Sequence, residues 1–225
     1  MAGPDDEAGS GQYVSPPCFM HELQPGFRPA DGDGQVRSDV MRWRKAERQR
    51  LIASRLEIPA ADRAEMAERI AAHLDAVIGE PEGRIASLYW PFRGEPDLRA
   101  WAGRFIERGG RIALPVVVEK AHPLDFRVWR PGDRLARGVW NIPYPEDGAS
   151  VVPDIAIAPL VGWDPSLYRL GYGGGYFDRT LASLRPKPLA IGVGYAFSKL
   201  PTIYPLGHDI PMQAIVTEEG AFQTA

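Results

Sequence analysis

The stretch Arg169-Leu-Gly-Tyr-Gly-Gly-Gly-Tyr-Phe-Asp178-Arg179 carries the residue types and spacing best suited to chemistry in this chain. Gly171, Gly173 and Gly175 stand at alternate positions and Gly174 completes a triplet, so backbone amides can turn toward one point with no Cβ in the way. Amides aimed in this way form an anion nest. An arginine opens the run and an acid-base pair closes it, which sets phosphate-binding groups at one end of the loop and a carboxylate able to hold a metal at the other. The layout suits a polyphosphate carried with a magnesium ion.

A glycine cluster by itself reads as a flexible turn, so its neighbours decide. Val152 to Leu160 has a strand's length and branching, and Phe177 to Leu184 has the apolar spacing of a short helix with Asp178 in its first turn. Strand, glycine loop and helix start together make a general anion site. Two familiar nucleotide loops are excluded. A Walker A loop needs Lys followed by Ser or Thr after its last glycine, where this chain has Tyr176 and Phe177. A dinucleotide fingerprint needs Gly-x-Gly-x-x-Gly and an acid about twenty residues on. These glycines are spaced differently, and the region near Val193 reads Gly-Val-Gly-Tyr-Ala.

The elements that must hold the loop follow from periodicity. Val40 to Leu56 and Ala60 to Ile78 predict a pair of helices at the N-terminus. Strands are expected at Ile85 to Trp90, Arg111 to Val117, Phe126 to Trp129, Leu189 to Ala196 and Ala214 to Thr217, with a helix at Asp97 to Arg108. The alternation predicts an α/β fold: a layered sheet, largely parallel, flanked by helices, with ligands beyond the carboxyl ends of the strands. Residues 1–38, rich in Gly, Pro, Asp and Ser, are expected to be a disordered extension, and 39–225 a single domain.

Arg169-Leu-Gly-x-Gly-x-Gly-Tyr-Phe-Asp178-Arg179 resembles the signature loop of the 5-formyltetrahydrofolate cyclo-ligase family, and the similarity runs from about Arg42 to Glu218. The resemblance implies an enzyme that uses ATP and magnesium to close 5-formyltetrahydrofolate into 5,10-methenyltetrahydrofolate. Arg169, Gly171, Tyr172, Gly173, Gly174, Gly175, Tyr176 and Phe177 are then the expected ATP-binding loop, with Arg169 and Tyr176 also expected in catalysis and Tyr176 bordering the pterin. A Lys-x-x-x-Arg pair of the family that reaches the nucleotide phosphates falls on Arg44 and Arg48, which the resemblance thus implies bind ATP, with Lys45 as the register-shifted alternative; without the resemblance, this arginine-rich segment reads as a solvated helix face. The family's folate-binding Glu and its apolar partner fall on Glu95 and Trp90. Gly207-His208-Asp209-Ile-Pro211 matches a segment whose Asp joins Asp178 in holding magnesium, while His208 is expected to be structural. The chain departs from the family at Tyr144, which replaces a Glu; Glu146 is a candidate substitute, and drifted turn and altered specificity stand as equal readings.

The resemblance further implies transfer of the ATP γ-phosphate to the formyl oxygen, followed by attack of N10. No covalent nucleophile is needed, and no Ser-His-Asp or Cys-His set stands out. A nucleotide- or folate-binding regulator without turnover is the alternative. A nucleic-acid binder using the arginine-rich helix is disfavoured by the net charge of -3. Asp154 and Asp164 are expected to fix backbone rather than ligands. Cys18 stands alone, so no internal disulfide is expected, and Cys18 with His21 is too few ligands for a metal. With no apolar run of membrane length and no signal-like start, the expectation is a cytoplasmic monomer with small-molecule partners, no membrane and no nucleic acid.

Overall fold

The structure is a computed structural model that describes residues 34–223. Its centre is a seven-stranded sheet. In chain order its strands are β1 (Ile85–Ser87), β2 (Arg111–Val116), β3 (Asp125–Trp129), β6 (Ile155–Pro159), β9 (Leu189–Val193), β10 (Ala214–Thr217) and β11 (Gly220–Gln223). Across the sheet the order is β11-β10-β9-β6-β1-β2-β3. The five inner strands run parallel, while β3 and β11 are antiparallel edges. The largely parallel α/β sheet matches the expectation; the edge strand β11 was not anticipated.

Strand β6 shows why the inner strands read as continuous apolar runs. Both of its faces are covered. Ile155 and Ile157 point into the core shared with Ile191, Val193 and Val216, and Ala156 and Ala158 point into the core on the other face with Ala190 and Ile215. The two-residue period sends the branched side chains one way and the small ones the other.

Helices α2 (Ala60–Ile78) and α3 (Arg99–Glu107) cover the isoleucine face. Helix α2 buries Ala67, Ile70, Ala71, Leu74 and Ile78, a single stripe at helical spacing. It ends at Gly79, whose φ of +73° closes the last turn onto the Asp75 carbonyl. Helix α3 contributes Trp101 and Phe105, whose burial is worth about 1.5–3 kcal/mol for the Phe alone.

Helix α1 (Gly34–Glu57) begins earlier than its apolar pattern suggested, taking in residues 34–38 of the expected extension. The rest of that extension, with Cys18 and His21, lies outside the described residues. Helix α1 does not share a core with α2. It buries Val40, Trp43 and Leu51 against Val161, Tyr168, Leu170 and the segment around Ile203. That face also buries Arg44 and Arg55, so it is not a solvated face.

Two hairpins were not legible in the sequence. Strands β4 (Leu135–Arg137) and β5 (Pro143–Pro145) pair antiparallel, as do β7 (Gly162–Trp163) and β8 (Arg169–Leu170). The second hairpin corrects one expectation. The glycine loop does not follow the central strand β6 directly; it leaves β8 and enters α4 (Tyr176–Ser183). Asp164 closes that hairpin as expected, accepting from the amides of Ser166, Tyr168 and Ile203. Asp154 accepts from the Ile85 amide at 2.8 Å, tying β6 to β1 at their starts.

Candidate active site

A cavity of about 490 Å³ opens beyond the carboxyl ends of β1, β2 and β6. Connections from β1 move outward to β2, whereas those from β6 move the other way to β9 and β10. The gap between β1 and β6 is therefore a topological switch point, the usual ligand position in such sheets. Tyr89, Trp90, Phe92 and Glu95 follow β1 into one wall, and the glycine loop and α1 form the wall opposite.

At the glycine end, Gly173 (φ +97°) and Gly175 (φ +63°) adopt a left-handed backbone that side chains rarely tolerate. Gly175 is the N-cap of α4, so the helix directs its positive end toward the loop. Two arginines bind loop carbonyls. Arg48 Nε donates to Gly171 O at 2.6 Å, and Arg179 Nη2 donates to Gly174 O while its guanidinium lies 5.3 Å over the Tyr176 ring. The terminal nitrogens of Arg48 lie beneath Gly173, where a Cβ would stand 3.4 Å from Arg48 Cζ. Burial, and then the neighbouring charge of Arg44, lower the Arg48 guanidinium to about 10. It remains a cation at neutral pH, but one short of solvation.

Arg169 is deeply buried. Its Nη2 donates to Asp178 Oδ2 at 3.0 Å, its Nε is buried without a partner, and its guanidinium lies 5.2 Å over Phe177. Burial lowers its pKa against the opposing charge of Asp178. A buried donor of this kind is costly unless something accepts from it.

Asp178 and Asp209 both line the cavity, and each is held by an arginine. Arg44 donates from Nη2 to Asp209 Oδ2 at 2.6 Å and from Nη1 to Oδ1 at 3.3 Å, and also to the carbonyls of Ile203 and Tyr204. Burial alone would raise the Asp209 carboxyl, but the hydrogen bonds and charge of Arg44 hold it below the ordinary carboxylate range. Arg44 thus faces the cavity with its guanidinium largely committed. Lys45 is exposed and does not line the cavity, so Arg44 and Arg48 are the register that reaches the site.

Among the described residues, no group of three or more His, Cys, Asp or Glu side chains is arranged to hold a metal. Two carboxylates still suit magnesium, which is commonly held by one or two carboxylates together with substrate phosphates. His208 lies at the rim, its Nε2 3.8 Å from Asp209 Oδ1.

At the opposite end, Glu95 is buried; its Oε2 accepts from the Phe92 amide at 2.8 Å, and the Tyr172 hydroxyl stands beside its carboxyl. Burial pushes its carboxyl up to about 7, against the charge of Arg55. Trp90 is half-buried, edge-on to Trp129 at 6.0 Å and under Arg99 at 5.1 Å. Tyr144 lines the cavity with Arg127 5.6 Å over its ring, while Glu146 is exposed away from it and does not take the place of the missing acid.

The structure therefore gathers Arg44, Arg48, Trp90, Glu95, Arg169, the glycine loop, Tyr176, Phe177, Asp178 and Asp209 around one cavity. Sequence reasoning missed Arg55 and Arg127. Arg55 had a usable signal: Arg44, Arg48 and Arg55 share one helix face at offsets of 0, 4 and 11. Arg127, on an edge strand, had none.

The profile of the 5-formyltetrahydrofolate cyclo-ligase family matches residues 40–218. The 5-formyltetrahydrofolate cyclo-ligase of Mycolicibacterium smegmatis is 30% identical over 175 residues, which is 74% of this chain and 89% of that relative. The enzyme of the same name from Escherichia coli K12 is 33% identical over 146 residues, 58% of this chain and 76% of its own length. Among solved structures, the 5,10-methenyltetrahydrofolate synthetase of Aquifex aeolicus superposes with a TM-score of 0.69 at 25% identity, covering 80% of this chain and 92% of that one. A 5,10-methenyltetrahydrofolate synthetase from Mycoplasma pneumoniae has the same fold, with a TM-score of 0.63 at 22% identity, covering 78% and 98%.

Proposed function

The chain belongs to the 5-formyltetrahydrofolate cyclo-ligase family, a family of ligases, and on that premise we propose that it closes 5-formyltetrahydrofolate to 5,10-methenyltetrahydrofolate with ATP and magnesium. The observation that carries the reading is the union of a glycine loop with left-handed turns and a buried carboxylate, Glu95, on the walls of one cavity. A polyphosphate needs the first, and a pterin edge with its row of N–H donors needs the second.

Formyl oxygen on an amide nitrogen is a poor leaving group. Phosphorylation at that oxygen, with ADP as the other product, converts it into a good one. N10 then attacks the formyl carbon and gives up its proton as the C–O bond breaks and inorganic phosphate departs. The protein's work is positioning and charge stabilisation. Arg48 and Arg169 bind phosphate oxygens, the amides from Gly171 to Gly175 hold the β,γ region, and Glu95 and Trp90 fix the pterin with Tyr176 at its border. Asp178 and Asp209 would hold magnesium, which supplies neutralising charge on the phosphates. For this, Arg44 and Arg169 must share the acids they now bind.

The test is the near-ultraviolet absorbance of the methenyl product on mixing protein, ATP, magnesium and 5-formyltetrahydrofolate. A second reading, a nucleotide- and folate-binding regulator without turnover, is favoured by the pairing of both acids with arginines. ATP binding with no methenyl product under these conditions decides for it.

A further inference from the structure

Arg55, near the end of α1, is 2% exposed and divides its guanidinium among three separate segments of the cavity wall. Nε donates to Arg93 O at 2.8 Å, Nη1 to Leu160 O at 3.4 Å and Nη2 to the Tyr172 hydroxyl at 2.6 Å. These acceptors belong to the loop that carries Glu95, to the segment leaving β6 and to the glycine loop. Tyr172 completes the link, donating to Phe92 O at 3.4 Å with its ring 5.9 Å from Phe92.

Burying a guanidinium is expensive, and an apolar side chain would fill the same space at lower cost. Three bonds to three segments therefore point to a duty beyond packing. Glu95 supplies the second half of the argument, since its Oε1 is buried and the Tyr172 hydroxyl that Arg55 holds stands beside its carboxyl. The groups that face it are Arg55 from α1, Tyr89 after β1, Tyr172 on the glycine loop and Tyr195 after β9. Burial raises all three tyrosines, so their hydroxyls are neutral, and Arg55 is the cation set against the carboxylate.

We propose that Arg55 is a positioning residue that joins the phosphate half of the cavity to the Glu95 half, holding Tyr172 and the Arg93–Glu95 turn in register and presenting a cation to Glu95. The inference rests on Glu95 being the contact for the folate ring. It is distinct from Arg44 and Arg48, whose guanidinium groups bind the Asp209 carboxylate and the Gly171 carbonyl.

Full-length Arg55→Met and Arg55→Lys enzymes, assayed across pH with varied 5-formyltetrahydrofolate, test it. In Arg55→Met the KM for the folate rises at least about ten-fold, and the acid limb of kcat/KM moves to higher pH because Glu95 loses its facing cation. In Arg55→Lys, which keeps the charge but not the fork, the limb stays near its wild-type position while the KM still rises. A variant that melts earlier yet keeps the wild-type KM and pH limb makes Arg55 merely structural and overturns the proposal. Should Arg55→Met not fold, an unchanged KM in Arg55→Lys overturns it equally. Wild-type protein that forms no methenyl product defeats the proposed reaction instead; carbon-13 NMR titration of the Glu95 carboxyl in both variants then decides Arg55, which fails if neither variant shifts the resonance or its titration.

Discussion

Arg44 and Asp209 form a buried ion pair, Nη2 to Oδ2 at 2.6 Å, with side chains only 5% and 9% exposed. The acid expected to face a metal is thus also the anchor that fastens α1 to the segment from Ile203 to Asp209. Removing one partner leaves the other as an uncompensated buried charge, so Asp209→Ala should cost about 3–5 kcal/mol. Its folded carboxyl sits below the unfolded value, so its contribution is present above about pH 4 and is lost as pH falls through the folded pKa. Urea midpoints of wild type and variant, well apart at pH 7, should converge as the pH falls below the ordinary carboxylate range.

Arg48 should divide stability from function. Burial and Arg44 both disfavour its charge, so Arg48→Met removes an unfavourable term while losing one bond to Gly171. Stability should change by less than about 1 kcal/mol, whereas ATP affinity should fall by about a hundred-fold. Thermal melts beside nucleotide titration calorimetry check both halves; a matched fall in both would mean that Arg48 acts through the fold.

Gly173→Ala places a Cβ on a backbone at φ +97° and against the Arg48 guanidinium. The expected loss of stability is about 1–3 kcal/mol. The KM for ATP should rise at least ten-fold while binding of the folate alone is retained. Steady-state kinetics with equilibrium dialysis of the folate measure this.

Glu95 works in the opposite sense to Asp209 with pH. Its folded pKa is about 7 against an ordinary 4.5, so the folded protein holds the proton more tightly than the unfolded chain. Stability conferred by the neutral form is fully present below about pH 4.5 and is lost as pH rises toward 7. Glu95→Gln should remove that slope and stabilise the free protein at pH 8 by on the order of 1–3 kcal/mol. The same change should weaken folate binding by about ten-fold or more, since an amide cannot accept a donor pair as a carboxylate does. Melts from pH 4 to 8 and folate titrations provide the comparison.

The sequence by itself determined the parallel α/β class, because the covered strands are short apolar runs between helical periods. It also determined the left-handed turns of the glycine loop: glycines are needed at Gly173 and Gly175 wherever the chain folds, since the requirement lies in the local backbone. Tertiary structure alone decided the rest. The β7–β8 hairpin rests on two-residue strands too short to leave a period, so its insertion ahead of the loop was invisible. The partners of the arginines were also unreadable, because Arg44 reaches Asp209 across 165 positions and Arg55 reaches Tyr172 across 117. Charge and helix face follow from local order, but which buried carboxylate or hydroxyl meets a guanidinium depends on where distant segments come to lie.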